Sequence, residues 1–277
     1  GSDSIYAESI YTNRLELIGV YQLPVSENIF TQVSYNYHKQ NSWYGNTPYM
    51  ARQQVFFAQA YWDKAIGSRN NLLLGAAFRY TYYDDNTPAT KATDGVTDEP
   101  DKRPLPGVFI QDEWRINDKN TLLAGYRYDY DKDHGNVHSP RLAYRLSVNR
   151  NNTLRASFGT GFRVVNLFTE DHAALTGSRE VVIKNSLNPE RSYNGNLNYV
   201  LRVPTRTAVF NFDLTGFYSY FTNKIIGDFD TDPNKIIYDN LDGHAISQGV
   251  ALNIDASFNI PLTLSTGVTY ADVFSKR

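Results

Sequence analysis

Asn71-Leu72-Leu73-Leu74-Gly75-Ala76-Ala77-Phe78-Arg79-Tyr80-Thr81-Tyr82-Tyr83 decides the fold class. Every second residue from Leu72 gives Leu72, Leu74, Ala76, Phe78, Tyr80 and Tyr82, while Gly75, Ala77, Arg79 and Thr81 fall between them. Period two belongs to a β-strand, whose successive side chains point to opposite faces; a helix repeats every 3.6 residues. The same stretch holds the longest apolar run of the chain, about seven residues from Leu72 to Phe78, against about 18 for a membrane helix. Helical membrane spans are excluded.

The alternation recurs on both sides of this stretch. Upstream, Tyr11, Leu15, Leu17, Gly19, Tyr21 and Leu23 share one parity, as do Ile29, Val33, Tyr35 and Tyr37, and then Phe56, Ala58, Ala60 and Trp62. Downstream come Leu122 to Tyr130, Leu142 to Val148, Leu154 to Phe158, Tyr193 to Tyr199, Ala208 to Tyr220, Val250 to Phe258 and Leu264 to Tyr270. Val108 to Trp114 is less clean, because Asp112 shares a side with Val108, Ile110 and Trp114. Counting it gives about 12 strands.

The connections alternate in length. Short ones are expected at Pro24–Ser26, Ala65–Asn70, Asn117–Asn120, Asn149–Asn152, Pro204–Arg206 and Asn259–Pro261. Long ones are expected at Asn41–Arg52, Asp84–Pro106, Val164–Ser186 and Thr222–Ile246, with Asp131–His138 intermediate. An outer-membrane barrel has short periplasmic turns and longer extracellular loops, whereas a soluble sandwich has no reason to alternate them. The 21 tyrosines, 15 phenylalanines and three tryptophans suit aromatic girdles at two membrane interfaces. The mean hydropathy of −0.47 is compatible, since a barrel shows lipid only alternate residues. The prediction is an all-β chain forming an antiparallel transmembrane β-barrel in the bacterial outer membrane, its polar face lining a lumen.

Composition removes other classes. With 27 basic and 29 acidic side chains there is no cationic excess to track a phosphate backbone, so nucleic acid is not expected as a partner. Zero cysteine removes disulfide scaffolds, thiol nucleophiles and cysteine-based metal sites. No serine–histidine–aspartate order, phosphate loop or paired-carboxylate motif stands out, so no enzyme is predicted.

Gly159-Thr160-Gly161-Phe162-Arg163-Val164-Val165-Asn166-Leu167-Phe168-Thr169-Glu170, followed by Leu187-Asn188-Pro189-Glu190-Arg191-Ser192-Tyr193-Asn194, resembles a signature of TonB-dependent outer-membrane receptors. Gly107 to Trp114, Leu123 to Tyr130 and Pro140-Arg141-Leu142-Ala143-Tyr144 are similar to further strands of that family. The wording around Glu170 to Ile183 looks closest to receptors of Bacteroidetes-type bacteria. The resemblance implies a 22-stranded barrel filled by an N-terminal plug, with an inner-membrane TonB complex driving uptake by pulling on the plug. About 12 strands fill residues 1–277, so the expectation is a piece of the barrel without plug or remaining strands. The implied cargo is a scarce nutrient of the ferric siderophore, haem or cobalamin class, and a surface lipoprotein is a further implied partner. A complete 12-stranded passive channel or autotransporter-type pore is the alternative, and a soluble β-rich binding module a weaker one.

Candidate ligand contacts lie in the long loops. His172 sits between Phe162-Arg163 and Asn188-Pro189, where haem receptors of the family carry an axial histidine. Val164-Val165 replaces the Ala-Pro of their first motif, which favours an ordinary loop histidine. Trp43, Tyr44, Tyr49, Tyr82 and Tyr238 could stack on a large flat ligand, or pack as girdle and loop residues. Arg155 and Arg163, on the polar face, are assigned to plug contact in preference to an anionic substrate. Asp228, Asp230 and Asp232 alternate like the opening of a calcium loop, although Pro233 stands where an EF-hand needs glycine. His134 and His138 bracket a turn, a weak spacing for metal.

Overall fold

The structure, a computed structural model, describes residues 8–92, 94–164, 180–183 and 187–276. Twelve long strands form one antiparallel sheet: β1 Glu8–Gln22, β2 Asn28–Tyr44, β3 Thr47–Ile66, β4 Asn70–Asp85, β5 Asp101–Arg115, β6 Asn120–Asp131, β7 Gly135–Asn149, β8 Asn152–Arg163, β10 Glu190–Pro204, β11 Ala208–Thr222, β14 His244–Phe258 and β15 Thr263–Lys276. Each pairs with its neighbour in the chain order just given. A second sheet is built from β9 Glu180–Ile183, β12 Ile225–Asp228 and β13 Lys235–Asn240. Among the described residues no helix is long and apolar enough to cross a membrane.

Register turns the alternation of single strands into faces of a sheet. Leu146, Leu154, Tyr199, Leu214, Leu252 and Val268 lie in one cross-strand row. Trp62, Leu74, Ile110, Tyr126 and Pro140 form another. One residue further along, a row on the opposite face reads Thr121, Arg145, Arg155, Asn198 and Thr215. A slip of one residue on any strand would put arginine or asparagine among the leucines, which is why the register is strongly specified. The apolar face is the exposed one: Leu74, Ile110, Leu142, Phe158, Leu197 and Val250 all remain open on it.

β1 pairs with β2 and β15 with β14, but β1 and β15 do not pair with each other, so the sheet is open. A closed 12-stranded pore requires that missing pair.

The strands are longer than the roughly 9–11 residues that cross a bilayer, and the surplus lies at the long-loop end. The segment Asn41–Arg52, expected as a long loop, is a correction. β2 and β3 run on in register to Tyr44↔Thr47, leaving a two-residue turn at Gly45-Asn46. Gly45 has φ of 60°, the left-handed conformation such a turn demands. Asp131–His138 shortens in the same way, to the three residues between β6 and β7. Asp84–Pro106 narrows to the link between Asp85 and Asp101, which carries a short 3-10 turn at Pro88–Thr90. The other two long connections supply the second sheet.

Candidate functional site

The long-loop end of the sheet carries the most elaborate side-chain arrangement. Tyr44 and Tyr49 flank the Gly45-Asn46 turn and point to the polar face. Ile236 and Tyr238 project from β13 and cover them. Tyr44, Tyr49, Ile236 and Tyr238 are 3%, 4%, 2% and 2% exposed and form one apolar cluster, with Ala51, Val181, Leu187 and Ile225 packed around it. The second sheet therefore lies as a lid on the polar face, against the tips of β2 and β3.

Two separate connections make this lid. β9 comes from the β8–β10 connection, while β12 and β13 come from the β11–β14 connection. They join through the parallel pairing Ile236↔Val181 and Tyr238↔Ile183. Four polar groups tie them down. Asn240 donates from Nδ2 to the carbonyls of Asn188 at 3.0 Å and Asn223 at 2.6 Å, and accepts from the Asn188 N–H at 2.8 Å. Asn223 has φ of 55°, a left-handed conformation asparagine tolerates better than most residues. Glu190 accepts from the Ile225 N–H at 3.0 Å through one oxygen, and through the other from Arg163 at 2.7 and 3.1 Å. The Asn188-Pro189-Glu190 motif thus joins β8, β10 and both long connections.

Beneath the lid runs a buried polar chain. The hydroxyls of Tyr49 and Tyr83 are 2.8 Å apart, and Tyr83 donates to Asp85 Oδ2 at 2.5 Å. The other Asp85 oxygen accepts from the Thr87 N–H at 2.8 Å and hydroxyl at 2.6 Å, and Thr90 donates to the Asp85 carbonyl at 2.7 Å. Burial pushes the Tyr49 hydroxyl up to about 12. Tyr83 is pushed well above the usual tyrosine range, by burial first and then by its bond to the Asp85 carboxylate.

Lower on the polar face, β2 to β8 border a cavity of about 460 Å³ lined by Gln59, Phe109, Gln111, Arg127 and Arg141 among others. Arg127 pairs with Asp129 at 2.6 Å, and Asp129 is 2% exposed. Gly107 makes room for that pair: a Cβ there would stand 2.1 Å from Asp129 Oδ1. Gln111 Oε1 is buried with no hydrogen-bond partner. A second hollow of about 420 Å³ lies beside Arg145 and Arg155, which are direct cross-strand neighbours. Arg145 donates to Thr121 at 3.0 Å and Arg155 to Asn198 at 3.1 Å.

The structure disperses the residues singled out from sequence. Tyr44, Tyr49 and Tyr238 come together, but their rings are enclosed by protein and offer no face for stacking on a ligand. Trp43 and Tyr82 lie on the opposite, apolar side: Trp43 is 43% exposed, and Tyr82 accepts from Arg52 at 2.7 Å. Arg155 and Arg163 both reach the polar face. Asp228, Asp230 and Asp232 do not converge as calcium ligands. Asp228 Oδ1 accepts the N–H groups of Asp230 and Thr231 at 3.0 Å, and Asp232 caps the Asn234 N–H at 2.9 Å, so these carboxylates fold their own turns. Among the described residues no group of three or more histidine, aspartate or glutamate side chains could hold a metal. His138 lies on the apolar face beside Tyr126 and Tyr128, 2.5 Å from the Tyr126 hydroxyl, while the His134 N–H caps Asp131 in the turn. His172 lies outside the described residues.

Sequence reading missed Asn240, Asn223, Tyr83 and Asp85. The signal for the lid was present in two short apolar runs, Ile236-Ile237-Tyr238 and Val181-Val182-Ile183.

A family model described as TonB dependent receptor-like, beta-barrel, matches residues 6–276. The chain belongs to the TonB-dependent receptor family. An iron-regulated outer membrane virulence protein of Vibrio cholerae serotype O1 is 31% identical over 119 residues, which is 42% of this chain and 18% of that protein. The siderophore receptor PirA from Pseudomonas aeruginosa superimposes with a TM-score of 0.78 at 18% identity, over 97% of this chain and 51% of PirA. The FrpB iron transporter from Neisseria meningitidis gives 0.71 at 15% identity, over 97% of this chain and 44% of FrpB. The chain thus spans about half the length of these receptors. As a TonB-dependent receptor barrel it belongs in the bacterial outer membrane, its exposed apolar face toward lipid and its polar face toward the lumen.

Proposed function

We propose that this chain is the central wall of a receptor that imports a scarce nutrient across the outer membrane, with ferric siderophore as the favoured cargo. The observation that carries it is the match of residues 6–276 to the receptor barrel. The names of the Vibrio, Pseudomonas and Neisseria relatives point the cargo toward iron. The rest of the receptor completes a 22-stranded barrel and supplies an N-terminal plug, through which the TonB complex delivers energy.

In this reading the chain transports and does not catalyse. The lid covers the lumen at the extracellular mouth, and Arg155 with Arg163 meets the plug from the wall. His172 remains a candidate for cargo contact, Trp43 and Tyr82 on the outer side for neighbouring-loop contact alone, and a surface lipoprotein or a loop calcium ion would act at the same outer end.

The test is uptake of radiolabelled iron by cells carrying the full-length receptor as their one route for a given ferric siderophore. Saturable uptake that vanishes without TonB supports the proposal. Uptake indifferent to TonB would sink it in favour of a passive pore. Haem binding that survives His172→Ala would remove the haem variant.

A further inference from the structure

The lumen face of the wall is divided into two sectors. Across β1 to β5, three successive cross-strand rows place Ile18 with Phe57, then Val20, then Phe30 with Tyr61 and Phe109. Ile18 and Val20 are exposed and the four rings half-buried, with glutamines between them. Phe30 stacks on Tyr61 with ring centres 5.3 Å apart, and Phe109 lies flat over Gly75, where a Cβ would stand 2.4 Å from the ring. The cavity of about 460 Å³ opens beside Tyr61 and Phe109. On β7, β8 and β10 the same face reads differently. Alternate residues from Ser139 to Ser147, Thr153 to Gly161 and Ser192 to Asn198 are serine, threonine, asparagine, glycine and arginine, with Ala143 as the exception.

These sectors would hold a contacting surface with different strength. Lifting a partner off Phe30, Phe57, Tyr61 and Phe109 returns apolar area to water, at a cost proportional to that area. Serine and asparagine trade a protein partner for water at little net cost. A contiguous apolar patch left open on a protein surface marks a contact site. Because this one faces the lumen, lipid does not reach it. The lid packs on Tyr44, Tyr49 and Ala51, nearer the long-loop end. The cover for the patch is therefore sought in the rest of the receptor, since this chain matches 51% of the length of PirA.

We propose that the N-terminal plug of the full receptor stays seated on this aromatic sector, and that the passage for cargo opens on the other side, between the plug and β7, β8 and β10. The proposal rests on the plugged-receptor reading above. At rest the plug also meets the polar sector, Arg155 included, through hydrogen bonds that water can replace. Pulling on the plug parts this polar contact first and leaves the aromatic one in place. The opening is then one-sided, and its wall is made of side chains that tolerate both water and a charged chelate.

The test uses cells with the full-length receptor carrying one introduced cysteine. Residues 1–277 contain none, and any elsewhere in the receptor give the same background in every variant. Ser34, between Ile18 and Phe57, stands six residues into β2 from Asn28, and Ser157 five into β8 from Asn152. The near-isosteric changes Ser34→Cys and Ser157→Cys thus probe similar depths in the two sectors. Labelling by a small water-soluble maleimide is timed during uptake of ferric siderophore, with and without TonB, and iron uptake is measured in the same cells. Ser157→Cys should label several-fold faster when TonB and siderophore are both present, while Ser34→Cys stays slow in every condition. Acceleration at both positions alike, at Ser34→Cys alone, or at neither while uptake still needs TonB would overturn the one-sided opening and leave the receptor reading standing. Uptake that does not need TonB would remove the receptor reading itself, and this inference with it. Gln32→Cys and Asn196→Cys repeat the comparison should either serine variant fail to assemble.

Discussion

The twelve-stranded wall and the three-stranded lid are both β-sheet, yet they are held together differently. In the wall every strand pairs with the next wall strand along the chain, over eight to seventeen registered positions. Its side chains alternate between lipid and lumen, so each strand carries its own instructions. In the lid, β9 comes from one connection and β12–β13 from another, joined over four positions. What holds the lid is a small apolar cluster, the hydrogen bonds that Asn240 donates and accepts, and the one that Glu190 accepts from the Ile225 N–H. A wall of local pairings should fail as a whole when its lipid face is damaged. A lid of long-range contacts should come loose while the wall stands.

The largest effect is expected from breaking the wall. Leu74→Arg and Leu252→Arg each place a charge on the lipid face and should cost about 2–4 kcal/mol near the midplane. Heat-modifiable migration of the full receptor should show loss of assembled barrel in either variant. If both assemble normally, the lipid-face assignment is wrong.

Next comes the lid core. Ile236→Ala removes a side chain that is 2% exposed and should cost about 2–3 kcal/mol of lid packing. Limited proteolysis should then cut the 223–243 connection much faster, while the heat-modifiable wall is unchanged. A parallel loss of the wall would show that the two regions fold as one unit.

Asn240→Ala should act in the same direction with a smaller size, about 1–2 kcal/mol, because it leaves the Asn188 and Asn223 groups without their partner. Hydrogen exchange at residues 187–190 and 223–226 is the readout, and unchanged protection would dismiss the clamp.

The smallest effect at neutral pH is expected under the lid. Tyr49 and Tyr83 have folded-state values raised above the usual tyrosine value of 10. Their contribution is therefore complete below about pH 10 and is lost as the pH rises toward about 12, when the buried hydroxyls must ionise on opening. Protease sensitivity of the lid should climb across that window. Tyr83→Phe should flatten the climb, and an identical pH profile in that variant would refute the assignment.

The same contrast explains what could be read in advance. Twelve strands and both faces of the wall were legible because Leu74, Leu142, Leu197 and Leu214 each sit in a two-residue rhythm that needs no knowledge of distant residues. Asn41–Arg52 read as loop, because Asn41, Ser42, Gly45 and Asn46 are turn-forming residues. In the structure the ladder between β2 and β3 runs past the bilayer, where water tolerates polar residues on both faces. Tyr44, Tyr49 and Tyr238 were legible as unusual aromatics but not as one cluster, since their meeting joins positions about 190 residues apart. The aspartates at 228, 230 and 232 showed the spacing of metal ligands, but backbone N–H groups of the same turns take an oxygen of Asp228 and one of Asp232.

By itself, then, the sequence determined the strand class, the number of wall strands, the lipid and lumen faces and the family. All of these follow from local alternation and ordered motifs. Tertiary structure alone decided that two distant connections combine into a lid, that Tyr44 and Tyr49 form its seat, and that Glu190 and Asn240 hold it. Those outcomes depend on contacts between segments with no shared periodicity, where burial and hydrogen-bond satisfaction are settled only once the wall has brought the segments together.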